Sequence, residues 1–234
     1  MIDFRLVHPF GCLSVLLAGL LVTSCAPRLA IDIQNDGALD LTVSGELSER
    51  ANQAFQNAAG GAAPLETLDT KECTRRLEAA GFTSVSTIST SARSLRFTAR
   101  HLSPNTLFGQ IYTVSLDQKK AEMKLDRHSL SQIIALMGSE TMDYLDLLMA
   151  PALTGEILTQ EEYTDQLASF WGKNLAMEMS TSNLILTLAC PEPVQSARIE
   201  PSGTVETTGK TARFSIPLSA ILIMDQPLRL SVQW

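Results

Sequence analysis

Polar and apolar residues alternate along the stretch LAIDIQNDGALDLTVSG. Leu29, Ile31 and Ile33 share one face of an extended chain, and Leu39, Leu41 and Val43 share one face of a second. Between them Asn35-Asp36-Gly37 supplies residues that tolerate positive φ, so the pattern predicts a β-hairpin. Residues 46–58 then read as a helix, and a small-residue loop runs to Pro64. A second helix is expected over 70–80, stopped by Gly81. Two strands follow, in FTSVSTISTS and around Leu95, Phe97 and Ala99. IYTVSLDQKKAEMKLD predicts another hairpin, with Ala121, Met123 and Leu125 facing one way and Glu122 and Lys124 the other.

The period then changes. Leu130, Ile133, Ile134 and Met137 follow the i, i+3, i+4, i+7 spacing of an amphipathic helix. Gly138-Ser139 interrupts it, and a second helical piece runs toward Pro151. Thr159 with Glu162 forms a capping-box pattern for a third helix, with Tyr163, Leu167, Phe170 and Trp171 on its buried side. The last third returns to strands in SNLILTLACP, TARFSIP and PLRLSVQW, with turns near Ser202-Gly203 and Gly209. This order predicts one α+β domain over residues 29–234, a mainly antiparallel sheet with amphipathic helices packed on one face.

Upstream of that domain, the apolar run from Leu13 to Val22 spans about ten residues, half of the roughly 20 a membrane-crossing helix needs. It reads as the hydrophobic region of a signal peptide. Val22-Thr23-Ser24-Cys25 resembles the lipobox of bacterial lipoproteins, in which an aliphatic residue and two small ones precede the cysteine that is lipidated. That resemblance implies removal of residues 1–24 and acylation of Cys25 by palmitate-like chains. It also implies a lipidated tether over 25–28, and a place in the cell envelope facing periplasm or exterior. Two or three acyl chains anchor firmly where one is marginal.

Composition narrows the partners. The chain is 45% hydrophobic, enough for a real core, and its formal net charge is −7. An acidic surface argues against nucleic acid, whose phosphates need Lys and Arg. It argues equally against a polybasic grip on anionic lipids. Aromatics make up 6%, too few for a single-strand stacking platform.

Of the four cysteines, Cys12 leaves with the signal and Cys25 carries the lipid. Cys73 and Cys190 are both expected to point inward, as a candidate disulfide or as two buried thiols. His101 and His128 show no metal-ligand spacing, so neither metal nor cofactor is expected. Both are expected in surface or capping roles. No nucleophile elbow, phosphate-binding glycine loop, H-E-x-x-H or dinucleotide fingerprint occurs. Asp143 with Asp146, and Glu161, Glu162 and Asp165, read as solvated helix faces ahead of paired catalytic carboxylates.

Methionine carries a different signal. Met137, Met142, Met149, Met177 and Met179 crowd the helical middle, where flexible thioethers either fill gaps or meet varied apolar partners. Leu136, Leu147 and Met149 fall off the main apolar stripe. They are therefore expected to line a pocket or a partner-facing patch. The ending PLRLSVQW resembles the closing strand of outer-membrane barrels. With three tyrosines and two tryptophans, the chain is short of the aromatics such barrels carry. A last core strand is the better reading.

From the lipobox onward the chain resembles an uncharacterised group of bacterial lipoproteins, notably of spirochaetes. The resemblance rests on IDIQNDGALDLTVSGEL, EEYTDQLASFWG and ARFSIPLSAILIMDQPLRLSVQW. The early hairpin and helix are also similar to LppM-type lipoproteins, which implies a small α+β fold and a lipid-like ligand. Three functions follow as expectations. The first is a non-catalytic interaction or structural subunit of an envelope complex, bound to the membrane through its N-terminal lipid. The second is a binder of a hydrophobic or lipid-like ligand between sheet and helices. The third is a hydrolase without a recognisable motif.

Overall fold

The computed structural model describes residues 25–46, 48–58, 70–79, 81–91, 94–101, 111–135, 149 and 151–234. The side chains of Cys25 and Cys73 are outside that description, as are segment 1–24 and residues 136–148.

The first hairpin forms as its alternation predicts. β1 (Cys25–Ile33) pairs antiparallel with β2 (Leu39–Glu46), placing Ile31 opposite Leu41 and Ile33 opposite Leu39. The turn is closed by the Asp36 side chain, which accepts from the Ala38 N–H at 3.0 Å. Gly37 takes φ +82°, a region an L side chain rarely enters. β1 reaches back to Cys25, so the expected tether 25–28 runs in the sheet instead. Cys25 lies opposite Glu46, and Arg28 lies between Ser44 and Ile185. An irregularity between Cys25 and Arg28 accommodates Pro27, which has no N–H to give a ladder.

α1 (Glu49–Ala58) and α2 (Thr70–Ala79) precede β3 (Phe82–Ser91) and β4 (Ser94–His101). β5 (Tyr112–Ser115) and β6 (Lys120–Leu125) make the second hairpin, followed by α3 (Arg127–Ala135). α4 (Gln160–Trp171) starts at the expected capping box. The Thr159 hydroxyl accepts from the Glu162 N–H, and the Glu162 carboxylate accepts from the Thr159 N–H at 2.8 Å. α5 (Lys173–Thr181) folds back on α4 across Gly172 and leads into β7 (Asn183–Ala189).

The last third holds β8 (Ser196–Glu200), β9 (Thr204–Thr208), β10 (Thr211–Pro217), α6 (Leu218–Ile223) and β11 (Leu228–Gln233). The strands assemble into two sheets, ordered β3-β4-β2-β1-β7-β10-β9 and β5-β6-β11-β8. Among the described residues all pairings are antiparallel except β1 with β7. The fold is α+β and dominated by sheet. It departs from the single expected sheet because β11, the last strand, pairs with β6 and β8 rather than joining β7 and β10.

One continuous core joins these parts. Ile31, Ile33, Leu39, Leu186, Leu188 and Phe214 of the large sheet face Ala121, Leu230 and Val232 of the small one. Tyr163, Leu167, Leu175, Met179, Leu218 and Leu222 extend the same cluster through the helices. Each such side chain contributes about 1.5–3 kcal/mol when fully withdrawn from water. Phe170, expected on the buried side of α4, is instead 58% exposed. It stands beside Gly172, where α4 turns into α5.

Candidate functional site

Strand alternation gives the small sheet an inward apolar face and an outward polar one. Register sets the outward residues in rows. Lys124 lies opposite Arg229, which lies opposite Glu200. In the next row Thr113 lies opposite Glu122, Glu122 opposite Ser231, and Ser231 opposite Arg198. Directly opposed residues are about 4.5–5.5 Å apart at Cβ and diagonal ones about 7–8 Å. Lys124, Arg229 and Arg198 are thus neighbours on adjoining strands. Together with Lys120, Glu122, Glu200, Thr113 and Ser231 they line a cleft of about 530 Å³.

Gly203 helps to hold the β8 end of this cleft. A Cβ there would sit 2.7 Å from Ile199 Cδ1 and 2.8 Å from the Ser215 carbonyl oxygen, at φ +126°. Glycine is what lets β8 turn closely into β9.

The charges in the cleft are unevenly satisfied. Lys120 Nζ lies 2.7 Å from Glu122, and Lys124 Nζ lies 2.8 Å from Asp126. Arg198 and Arg229 make no ion pair with any described residue, although Glu200 also lines the cleft. Four cationic side chains against two carboxylates leave a positive excess on a protein of net charge −7. Asp126 belongs to the edge of this region. Hydrogen bonding to Lys124 and to the Ser129 N–H holds its carboxyl well below the usual carboxylate range. It caps α3, exchanging bonds with Ser129 in both directions.

The opposite side of the small sheet is closed. Between the two sheets the open space is about 20 Å³, lined by apolar side chains. Ligand pockets run to roughly 300–1,000 Å³. A polar pair bridges the same interface at its edge. His101 on β4 is 1% exposed, and its Nδ1 shares a hydrogen bond with the Tyr112 hydroxyl on β5. The Phe82 ring centroid lies 5.0 Å from the imidazole. Burial lowers the His101 pKa from its ordinary value and pushes Tyr112 up to about 12. The surface role expected for His101 is therefore corrected: in the alternation of β4 it follows Phe97 and Ala99 inward. His128 is exposed, as its place at a helix start implies.

The other expected residues are scattered. Met149 has 0% exposure and packs in the core, so it lines neither pocket nor partner surface. Leu136, Leu147, Met137, Met142, Asp143 and Asp146 lie outside the described residues. Met179 is buried and Met177 is 65% exposed. Glu161 and Asp165 face solvent, and Glu162 serves the cap.

Cys190 is a free, buried thiol, which removes the candidate bridge to Cys73. Topology supplies the reason. Cys73 is on α2, which packs on β3, and Cys190 follows β7, four strands away in the sheet. At about 4.8 Å per strand that is roughly 19 Å, against about 4.4–6.8 Å between bridged Cα atoms. Burial and the nearby Asp32 carboxylate push the Cys190 thiol up to about 11.

Arg198, Arg229, Lys124 and Ser231 were not singled out by sequence reasoning as a site. Each occupies the polar beat of an alternating segment, SARIE, LRLS or KAEMKL, and only the pairing of β6, β11 and β8 brings them together. No helix among the described residues is long and apolar enough to cross a membrane. No protein-family model matches the chain, and a search of curated proteins finds no match.

Proposed function

We propose that this chain is a non-catalytic lipoprotein of the cell envelope, held at a membrane by acylated Cys25 and acting as an interaction subunit. Its working surface is the outward face of the small sheet. One observation carries this reading: the space between the sheets is about 20 Å³, while the charged cleft outside them is about 530 Å³. A hydrophobic ligand between the two sheets would need room that packed side chains already occupy, and the large charged cleft on the outside favours recognition there over a lipid-like ligand between sheet and helices. The lipobox resemblance supports the anchor. β1 supports a close attachment, because Cys25 begins a paired strand instead of a free tether.

The test is photocrosslinking in cells, with a photoreactive residue at Thr113 in the cleft and a control at Arg213 on the exposed outer side of β10. A discrete adduct is expected from position 113 and none from 213. Equal labelling at both, or none at either, overturns the reading. Cys25→Ala should in parallel release the protein from the membrane fraction.

A further inference from the structure

We propose that the cleft on the small sheet binds a phosphate group, held by Arg198 and Arg229 with Lys124 beside them. The inference deepens the reading of this face as the working surface and rests on it, but it does not depend on the lipid anchor.

Three features of the cleft favour that chemistry. Two guanidinium groups on adjoining strands are left without ion pairs to described residues, while Arg100, Lys119, Lys120, Lys124 and Arg213 each have a carboxylate within 4 Å. A guanidinium presents a planar fork of N–H donors that matches two oxygens of a phosphate or carboxylate. A single carboxylate is filled by one such fork. Two forks, the Lys124 ammonium and the hydroxyls of Ser231 and Thr113 all line one concavity. That donor set suits a doubly charged group with three free oxygens.

The cluster is also compact. Lys124 is directly opposite Arg229, and Arg198 lies one row further on the next strand. Adjacent members are about 5–8 Å apart at Cβ, so side chains as long as Lys and Arg can converge on one phosphate above the middle strand. Glu200 faces the same cleft from the position opposite Arg229. Its carboxylate repels an anion there, so neutralising it should tighten binding.

The phosphate can belong to a soluble ester or to a lipid headgroup. Titration calorimetry on the full chain in neutral detergent separates the two, using glycerol 3-phosphate and a short-chain phosphatidic acid as probes. Saturable binding of one phosphate per chain is expected, weakening as chloride is raised. Replacing one guanidinium should weaken it roughly tenfold, and the Arg198→Gln/Arg229→Gln double variant should abolish measurable binding. Glu200→Gln should instead tighten it severalfold. Tighter binding of phosphatidic acid than of glycerol 3-phosphate, by more than about tenfold, assigns a lipid source, and equal affinity assigns a soluble one.

No saturation at about 10 mM of either probe, or unchanged affinity in the double variant, overturns the proposal. Should the double variant fail to fold, the opposite signs of Lys124→Gln and Glu200→Gln decide it, and the same sign for both overturns it. Thr113 crosslinks that persist without phosphate binding leave the working-face reading standing and remove only the phosphate. Phosphate binding without crosslinks does the reverse.

Discussion

Leu230 and Arg229 are adjacent in β11, yet one is buried between two sheets and the other lines an open cleft. Met123 beside Lys124 on β6, and Ile199 beside Arg198 on β8, divide similarly, the apolar member partly buried against the core. The inner face is apolar, filled and continuous with the large sheet. The outer face is charged, concave and partly unsatisfied. Because strand alternation ties the two together, the core fixes the spacing of the surface cations. A rigid inner face is what lets guanidinium groups without ion pairs stay near one another despite their repulsion.

The sharpest way to break this comparison is to damage the shared core. Phe214 is 1% exposed and sits between the sheets. Phe214→Ala should cost about 3–5 kcal/mol, read as a fall in the urea midpoint. If the two sheets share one core, the variant should still unfold in a single transition by fluorescence and circular dichroism together. Two separated transitions would show that the small sheet folds by itself, and that its faces are not coupled through the large one.

A smaller effect is expected at the edge of the same interface. Tyr112→Phe removes the hydroxyl that bonds His101 across the sheets. The loss should be about 1–3 kcal/mol, measured by thermal melting. The pH dependence has a definite sign. Burial depresses the His101 pKa below its ordinary 6.5, so the unfolded chain takes up the proton more readily than the folded one. His101 therefore adds stability that is fully present above pH 6.5 and is lost as pH falls toward the lowered folded pKa. His101→Asn should flatten the stability profile across that acid window. A profile unchanged by the substitution would place the acid sensitivity elsewhere.

These two sites also mark what could be read from the sequence. The large sheet was legible where neighbours in sequence are neighbours in space. The Asn35-Asp36-Gly37 turn, the Thr159–Glu162 box and the alternation of Phe97 and Ala99 each specify a local shape, and each forms. The small sheet was legible in its β5–β6 hairpin and in β11 as a strand, but not in how they assemble with β8. β8 is five residues long with its charged positions exposed, and it pairs with a strand about thirty residues away. No local signal joins SARIE to LRLS or to KAEMKL, so the cleft exists only once the topology is known. α6 was missed because LSAILI is apolar all round, a pattern that periodicity does not separate from a buried strand. His101 was misread because the strand's period was given less weight than the residue's polarity.

The smallest stability effect is expected on the outer face, and it tests the comparison most directly. Arg198 and Arg229 are exposed and make no ion pair with a described residue. Surface substitutions of this kind usually stay within about 0.5 kcal/mol. Relief of the repulsion among Arg198, Arg229 and Lys124 should push the sign toward stabilisation. The Arg198→Gln/Arg229→Gln variant should therefore melt at or slightly above the temperature of the parent protein. Repulsion between exposed charges is screened over about 10 Å at 0.1 M salt, so the gain should be larger at low ionic strength and vanish in high salt. Phosphate should reverse the order: it should raise the melting temperature of the parent protein and leave the variant unmoved. A variant that melts well below the parent at every salt concentration would mean that the guanidinium groups hold the sheet together. The outward face would then be part of the scaffold.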